Sequence, residues 1–296
     1  ISMRLRVIRP FDPWKNPLCT CPPKYSLNPY TGCGHRCLYC YITSYIPNAF
    51  SPRPKDIGNI IHDLEALPPG ALIAMSNSSD PYTPPEDRLG YTRKILETAL
   101  GRGHYILITT KSDLVLRDVD LFKKYRDQLA IQITITTLDE ELASVLEPGA
   151  PTPWRRLAAV AELARWGISV GVRLDPIVPF LNDSIEDLVK EVAEAGAKQL
   201  VVSTYKAKRD NFKRLAAAFP QYVDKWRELY FEKGRYFHGQ WYADIDYRRE
   251  ILRRAAELAR RHNLQFSICR EEFRDLETPR VKCDGSHFIN RGAVEV

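Results

Sequence analysis

Beyond residue 53 the chain alternates between two kinds of segment. One kind is a short, unbroken apolar run: "ALIAMS" (71–76), "YILITT" (105–110), "LAIQITIT" (129–136), "ISVGVRL" (168–174) and "KQLVVST" (198–204). Runs of that length, rich in β-branched residues, predict strands covered on both faces. The other kind carries apolar residues at helical spacing and covers Arg88–Gly101, Arg117–Tyr125, Pro153–Trp166 and Ser184–Ala195. Leu157, Val160, Ala161 and Ala164 form such a stripe, and Ser184 with Asp187 has the spacing of a capping box. With a first strand near Ser26–Tyr30, the alternation predicts about six βα units and a parallel sheet. The expected fold is α/β, a partial (βα)6 barrel of the TIM type, with functional groups at the C-terminal ends of the strands.

The pattern changes after Tyr205. A basic and aromatic stretch runs to Tyr242, a charged helix is expected at Asp246–His262, and a short strand candidate, "LQFSIC", leads into a polar tail. Three regions follow: an N-terminal segment, 1–24, the barrel, 25–205, and a C-terminal extension, 206–296, packed across it.

Composition narrows the chemistry. No stretch approaches the roughly 20 apolar residues of a membrane span, so no membrane partner is expected. The opening "ISMRLRVIRP" lacks the apolar core of a signal peptide. Both points indicate the cytoplasm, where disulfides are rare. Seven cysteines in such a chain read as metal ligands or reactive thiols. Frequent Pro (21) and scarce Met (2) fit a heat-adapted origin.

Three of the cysteines lie in "NPYTGCGHRCLYCY" (28–41): Cys33, Cys37 and Cys40. Three thiolates on a [4Fe-4S] cube leave one iron without a protein ligand, open to a substrate or cofactor. Structural zinc is the plainer reading and closes four ligands, with His35 as the candidate fourth.

The spacing Cys-x3-Cys-x2-Cys after a first strand, with an aromatic before the last Cys, resembles the radical S-adenosylmethionine (SAM) superfamily. "SDPYTPPEDRLGYTRKIL", "ITTKSDLVLRDVDLF", "LEPGAPTPWRRL" and "GVRLDPIVPFLND" are similar to its spore photoproduct lyase-like branch, over roughly residues 25–205. The resemblance implies a [4Fe-4S] cluster on Cys33, Cys37 and Cys40, with SAM chelated at the open iron and cleaved to a 5′-deoxyadenosyl radical. It implies a reductant such as ferredoxin or flavodoxin. Tyr39 is expected beside cluster and adenine, and Lys111 at the SAM carboxylate. Ser76 and Ser78 are expected near its amino group, and Thr134 near ribose or methionine. Arg156 has two readings, a SAM carboxylate contact or a plain helix cation. Tyr41 matches a tyrosine used in hydrogen return. Ser78 stands where that branch has a hydrogen-donating cysteine, and its O–H bond is too strong for that task. This argues against thymine-dimer repair by that route.

Cys19, Cys21, Cys269 and Cys283 remain. Four thiolates fully ligate a second [4Fe-4S] cluster or a zinc, and His287 is a candidate substitute for one of them. Basic residues in 205–214, 248–261 and 280–282, with Trp226, Tyr230, Phe231, Tyr236, Phe237, Trp241 and Tyr242 between, suit contact with RNA or DNA. A protein, a peptide or a small molecule are the other substrate classes. The competing function is a metal-stabilised nucleic-acid-binding protein without radical chemistry.

Overall fold

A computed structural model describes residues 4–75 and 77–291. Its main sheet has eight strands, adjacent in chain order: β1 (Arg9–Pro10), β2 (Tyr25–Leu27), β3 (Leu72–Met75), β4 (Tyr105–Thr110), β5 (Leu129–Thr134), β6 (Val170–Ile177), β7 (Gln199–Thr204) and β8 (Gln265–Ile268). β2 to β8 run parallel, and β1 pairs antiparallel with β2. The end strands β1 and β8 do not pair, so the barrel is partial. The six parallel strands predicted from the apolar runs are present. A seventh comes from "LQFSIC", which joins β7 with Phe266 opposite Leu200.

Helices fill the crossovers: α1 (Ile57–Ala66), α2 (Tyr91–Gly101), α3 (Val119–Lys124), α4 (Glu140–Leu146), α5 (Pro153–Arg165), α6 (Glu186–Glu194), α7 (Arg209–Ala218) and α8 (Ile245–Arg261). The apolar faces of α1, α2, α3, α5, α6 and α8 and the outer face of the sheet form one core, while α4 and α7 pack into a second. The expected capping box does not form. Ile185 occupies the N-cap of α6 without a side-chain cap.

The inside of the sheet carries polar residues, and the tail accounts for them. Gln132 on β5 donates to the Cys283 carbonyl (2.9 Å), Gln199 on β7 to that of Lys282 (2.8 Å), and Arg173 on β6 to that of Cys283 (3.0 Å). Ile289 and Phe288 pack on Leu72, Ala74, Leu107 and Ala130. The tail therefore plugs the barrel at the starts of its strands. The N-terminal segment reaches the tail through a Lys24–Asp284 ion pair at 2.8 Å.

Two expectations about the extension change. Trp226, Tyr230 and Tyr242 are buried, and Trp226 and Tyr230 belong to a second core with Tyr205, Leu215 and Phe219, so they offer no stacking face. The arginines of α8 are mostly spent on nearby carboxylates: Arg249 on Asp246, Arg253 on Glu250, Arg254 on Glu186 and Arg261 on Glu257. Arg248 is buried on Glu271. A helix neutralised in this way is no phosphate-binding stripe.

Asp63 on α1 fixes where the chain begins its path. Fully buried, it accepts from the backbone N–H groups of Arg6 (2.8 Å), Val7 (2.6 Å) and Ile8 (2.8 Å). Burial pushes its carboxyl up, but these three donors outweigh burial and hold it below the ordinary range. A depressed folded-state value stabilises the protein above the unfolded pKa, and that contribution fades as pH falls through the folded one. Asp63→Ala strands three donors, at about 1–3 kcal/mol of local stability for each buried group left unmade. Hydrogen-exchange protection factors at residues 6–8, which remove the intrinsic pH dependence of the rate, are expected to fall in the variant at neutral pH and in the wild type on acidification. Unchanged protection in both would remove Asp63 from this role.

Candidate active site

The loop after β2 holds Cys33, Cys37 and Cys40, and its path is set from outside. Gly32 has φ +84, and a Cβ there would stand 2.6 Å from the Ala49 carbonyl oxygen. The Cys33 N–H donates to that oxygen at 2.8 Å. The "EPGAP" turn lies on the loop: Gly149 N–H donates to the His35 carbonyl at 2.9 Å, and a Cβ at Gly149 would meet the Gly34 oxygen at 2.1 Å. Only glycine permits that crossing.

Three side chains tie the loop to the sheet. His35 is buried with Nδ1 3.3 Å from Asp80 Oδ2. Asp80, beyond the end of β3, also accepts from Thr110 Oγ1 (2.6 Å) and Lys111 N–H (2.9 Å). His35 is thereby committed to Asp80, which weakens it as a fourth metal ligand. Burial opposes charge on His35, but Asp80 and Cys33 overcome this and hold its pKa up at about 10. On the outer side α7 serves three successive carbonyls. Arg214 donates to Leu38 O (3.0 Å) and Cys40 O (2.8 Å), and Asn211 to Tyr39 O (3.3 Å).

A cavity of about 550 Å³ opens over this loop. Its walls include Cys33, Cys37, Cys40, Tyr39, Tyr41, Ser78, Lys111 and Thr134. Ser76 lies outside the described residues. Lys111 forms no ion pair among the described residues, and its ammonium lies 5.6 Å from the Tyr39 ring centre. Burial disfavours its charge, yet Cys37 and Glu147 hold it protonated. Burial pushes the Cys37 and Cys40 thiols up, and the Lys111 cation draws both the other way. Three thiols and a lysine on one cavity suit a thiolate-ligated cluster, since a bound metal deprotonates its own ligands.

Arg156 does not line the cavity. Its guanidinium is buried and used up by Glu147 (2.9 Å), Thr134 O (3.1 Å) and Pro151 O (2.9 Å). Glu147 in turn accepts from Thr136 Oγ1 (3.0 Å) and from the Tyr39 hydroxyl. This arginine anchors the carboxylate that holds Tyr39, and of its two readings the carboxylate contact is the one the surroundings disfavour. Tyr41 donates to the Asn77 carbonyl.

Cys19, Cys21, Cys269 and Cys283 line the same cavity. The Cys21 and Cys283 sulfurs are 3.7 Å apart. Cys21 also meets Cys19, and Cys269 meets Cys283. Thiol donors and nearby Lys24 draw Cys21 down, and the Cys283 thiol with Arg173 draws Cys269 down, against burial in both. His287 takes no part, since Nδ1 accepts from Lys282 N–H (3.0 Å) and Nε2 meets Gln265 Oε1 (2.7 Å).

Several site residues carry no signal in the sequence. Arg270 follows a cysteine in a basic tail, and Arg214 lies in an ordinary charged helix. Asp80, inside "SSDP", and Glu147, inside "LEPG", had only their position after a strand or before a turn to mark them.

The profile of the Radical SAM superfamily matches residues 27–195. An uncharacterized protein of Acidianus two-tailed virus is 32% identical over 235 residues, 72% of this chain and 77% of that one. The Radical SAM Nalpha-GlyT isomerase of Pseudomonas phage M6 is 26% identical over 187 residues, 60% of this chain and 39% of that one. Among solved structures, a spore photoproduct lyase variant with bound AdoMet and dinucleoside spore photoproduct superposes with a TM-score of 0.67 at 17% identity, covering 86% of this chain and 79% of that one.

The loop's dependence on α7 is testable. Arg214→Ala leaves two carbonyls without charged donors, each worth about 1.5–3 kcal/mol. Iron bound by the reconstituted variant should be lost to chelator several-fold faster than from the wild type, with Arg214→Lys between them. Equal rates in all three would free the loop from α7.

Proposed function

The chain belongs to the radical SAM superfamily and is a radical SAM enzyme, and on that premise we propose that its target is a base of RNA or DNA. The observation that carries the chemistry is the meeting of Cys33, Cys37, Cys40 and Lys111 on one cavity. When bound there, a [4Fe-4S] cluster and SAM supply an electron and a 5′-deoxyadenosyl radical. Lys111, a point cation at the end of β4, holds the SAM carboxylate. Tyr39 packs beside the adenine, kept in place by Glu147 and Arg156. Ser78 and Thr134 offer hydroxyls to the bound cofactor. The reductant is of the ferredoxin or flavodoxin class.

Charge favours the nucleic-acid target. Of the carboxylates on the cavity, Asp80 is bound to His35, Asp175 to Arg173 and Asp284 to Lys24, while Asp12 accepts from the Lys15 N–H of its own turn. Arg9, Arg36, Lys111 and Arg270 line it with no ion pair among the described residues, and Arg9 is spent on the carbonyls of Leu5, Arg6 and Ile8. With Lys111 assigned to SAM, two arginines remain for an anionic substrate. The fold-level likeness to a lyase that holds a dinucleoside agrees with this reading. A binding protein without radical chemistry fails to account for the lysine and the three thiols on a single cavity.

The four remaining cysteines form a second metal–thiolate centre in this reading. Two come from each end of the chain, and metal affinity there becomes folding free energy. Around zinc, with bonds of about 2.3 Å, sulfur edges of about 3.8 Å would be needed throughout. Cys21–Cys283 approaches that spacing, but among the described residues no three His, Cys, Asp or Glu side chains are set to hold a single ion. Four thiolates equally complete a [4Fe-4S] cluster, and metal analysis separates the two.

Two experiments test these statements. After reconstitution with iron and sulfide and reduction with SAM, the wild type should release 5′-deoxyadenosine. A variant with Cys33, Cys37 and Cys40 all changed to Ala should release none and bind about four fewer irons. Cleavage undiminished in that variant would reject the site. A Cys21→Ala, Cys269→Ala variant should also lose about four irons, keep the first cluster and become protease-sensitive near residue 283. Loss of about one zinc instead would name the other metal, and full metal content would abolish the centre.

A further inference from the structure

Trp14 is an anomaly in this protein. It lies in "DPWKNP", a turn in which both Trp14 and Lys15 have φ 54. Left-handed backbone is uncommon for bulky residues. The turn is closed by Lys15 N–H to Asp12 Oδ1 (3.0 Å) and Asn16 N–H to the Pro13 carbonyl (3.2 Å). The indole it carries is 55% exposed, whereas the buried Trp226 is 2% exposed. Strained backbone that presents an apolar ring to solvent contributes little to packing, and such outliers cluster at ligand sites.

The ring is part of a built feature at the cavity. Trp14 meets Tyr41 at 5.8 Å and 88°, and Tyr45 at 5.6 Å and 77°, while Tyr41 and Tyr45 are 6.2 Å apart and tilted by 31°. All three line the cavity. Tyr45 is 45% exposed, and its hydroxyl meets Ser78. Tyr41 lies deeper, on the Asn77 carbonyl and next in sequence to Cys40. The aromatics thus lead from the surface to the sulfur-lined floor. Arg270, itself at φ 55, faces them from the tail side. It has no ion pair among the described residues, and its charge acts on both Tyr41 and Tyr45.

We infer that Trp14, Tyr45 and Tyr41 are the stacking platform for the target base of a polynucleotide, and that Arg270 takes the phosphate beside it. This rests on the nucleic-acid reading above and names the residues that read the substrate. Rings at the mouth accept any base face, so the platform confers entry rather than sequence choice. An unpaired guanidinium within reach matches the phosphate that every nucleotide brings. A base on the platform stands between solvent and the cavity in which the radical is formed, which an unstacked or flipped-out nucleotide requires.

The test uses the reconstituted chain of residues 1–296 with SAM, and fluorescence anisotropy of labelled single-stranded DNA and RNA of one sequence, with an unstructured peptide as control. The wild type should bind one or both oligonucleotides, and the tighter arm names the sugar. Trp14→Ala should weaken binding about five- to a hundredfold, the range for loss of one stacked base, with Trp14→Phe restoring most of it. Arg270→Ala should flatten the dependence of log K on log salt by about one. Iron content equal to the wild type certifies that each variant is folded. If Trp14→Ala binds as tightly as the wild type, the platform is wrong and the nucleic-acid reading stands. If the wild type binds neither oligonucleotide, or only the peptide, the reading itself fails and takes the platform with it.

Discussion

Sulfurs at residues 33, 37 and 40 can face one object only if the backbone between them is held from outside, because a loop of that length has no hydrogen-bonded core of its own. Every other feature of the site follows from how this is done. The inner side is tied by His35 to Asp80, and so to the ends of β3 and β4. The outer side is tied by Arg214 and Asn211 of α7. The crossing at Gly149 closes the third side. Each tie comes from a different part of the chain. The loop therefore acquires its shape only when the barrel and the extension are both folded, which makes the extension part of the site.

The same logic governs the chain ends. An open parallel sheet has an exposed interior, and here it bears Gln132, Arg173 and Gln199. Buried polar groups without partners would cost about 1–3 kcal/mol each. The tail meets two of them with backbone carbonyls of Cys283 and one with that of Lys282. Those carbonyls also fix Cys283 where it approaches Cys21. Filling the barrel and assembling the second sulfur set are one event, which explains why the tail carries so little apolar sequence yet is well packed at Ile289.

The parts of this architecture carried by periodicity were legible beforehand. The strands at 105–110 and 199–204 and the helices at 153–165 and 245–261 lie within a residue or two of their apolar patterns. The Cys33, Cys37 and Cys40 spacing was also readable, because cysteines are sparse signals, and of the remaining four the structure brings Cys21 and Cys283 to 3.7 Å. What sequence could not give was partnership. Arg156 in α5 and Lys111 after β4 were both cations with a claim on the SAM carboxylate, and their partners distinguish them: one is consumed by Glu147, the other is left facing the cavity. Likewise Trp226 and Trp14 are both aromatics beside basic residues. Trp226 became core because a second apolar cluster formed around it. Trp14 remained outside because its turn lifts it away from the sheet.

These assignments constrain how the reaction can end. In the proposed reading all seven cysteines are metal ligands on one cavity, which leaves no thiol to return a hydrogen atom to a carbon radical. Ser78, at the position where such a thiol was expected, has an O–H bond too strong to serve. Among this chain's own residues, the Tyr41 hydroxyl remains as a hydrogen donor, on the cavity wall and next in sequence to Cys40. A hydrogen atom given by Tyr41 would leave a tyrosyl radical, and one electron from the reductant, entering past Tyr45 and Trp14, with one proton would restore the phenol. Without a spare thiol, a hydrogen atom taken from this chain therefore costs one outside electron for each product.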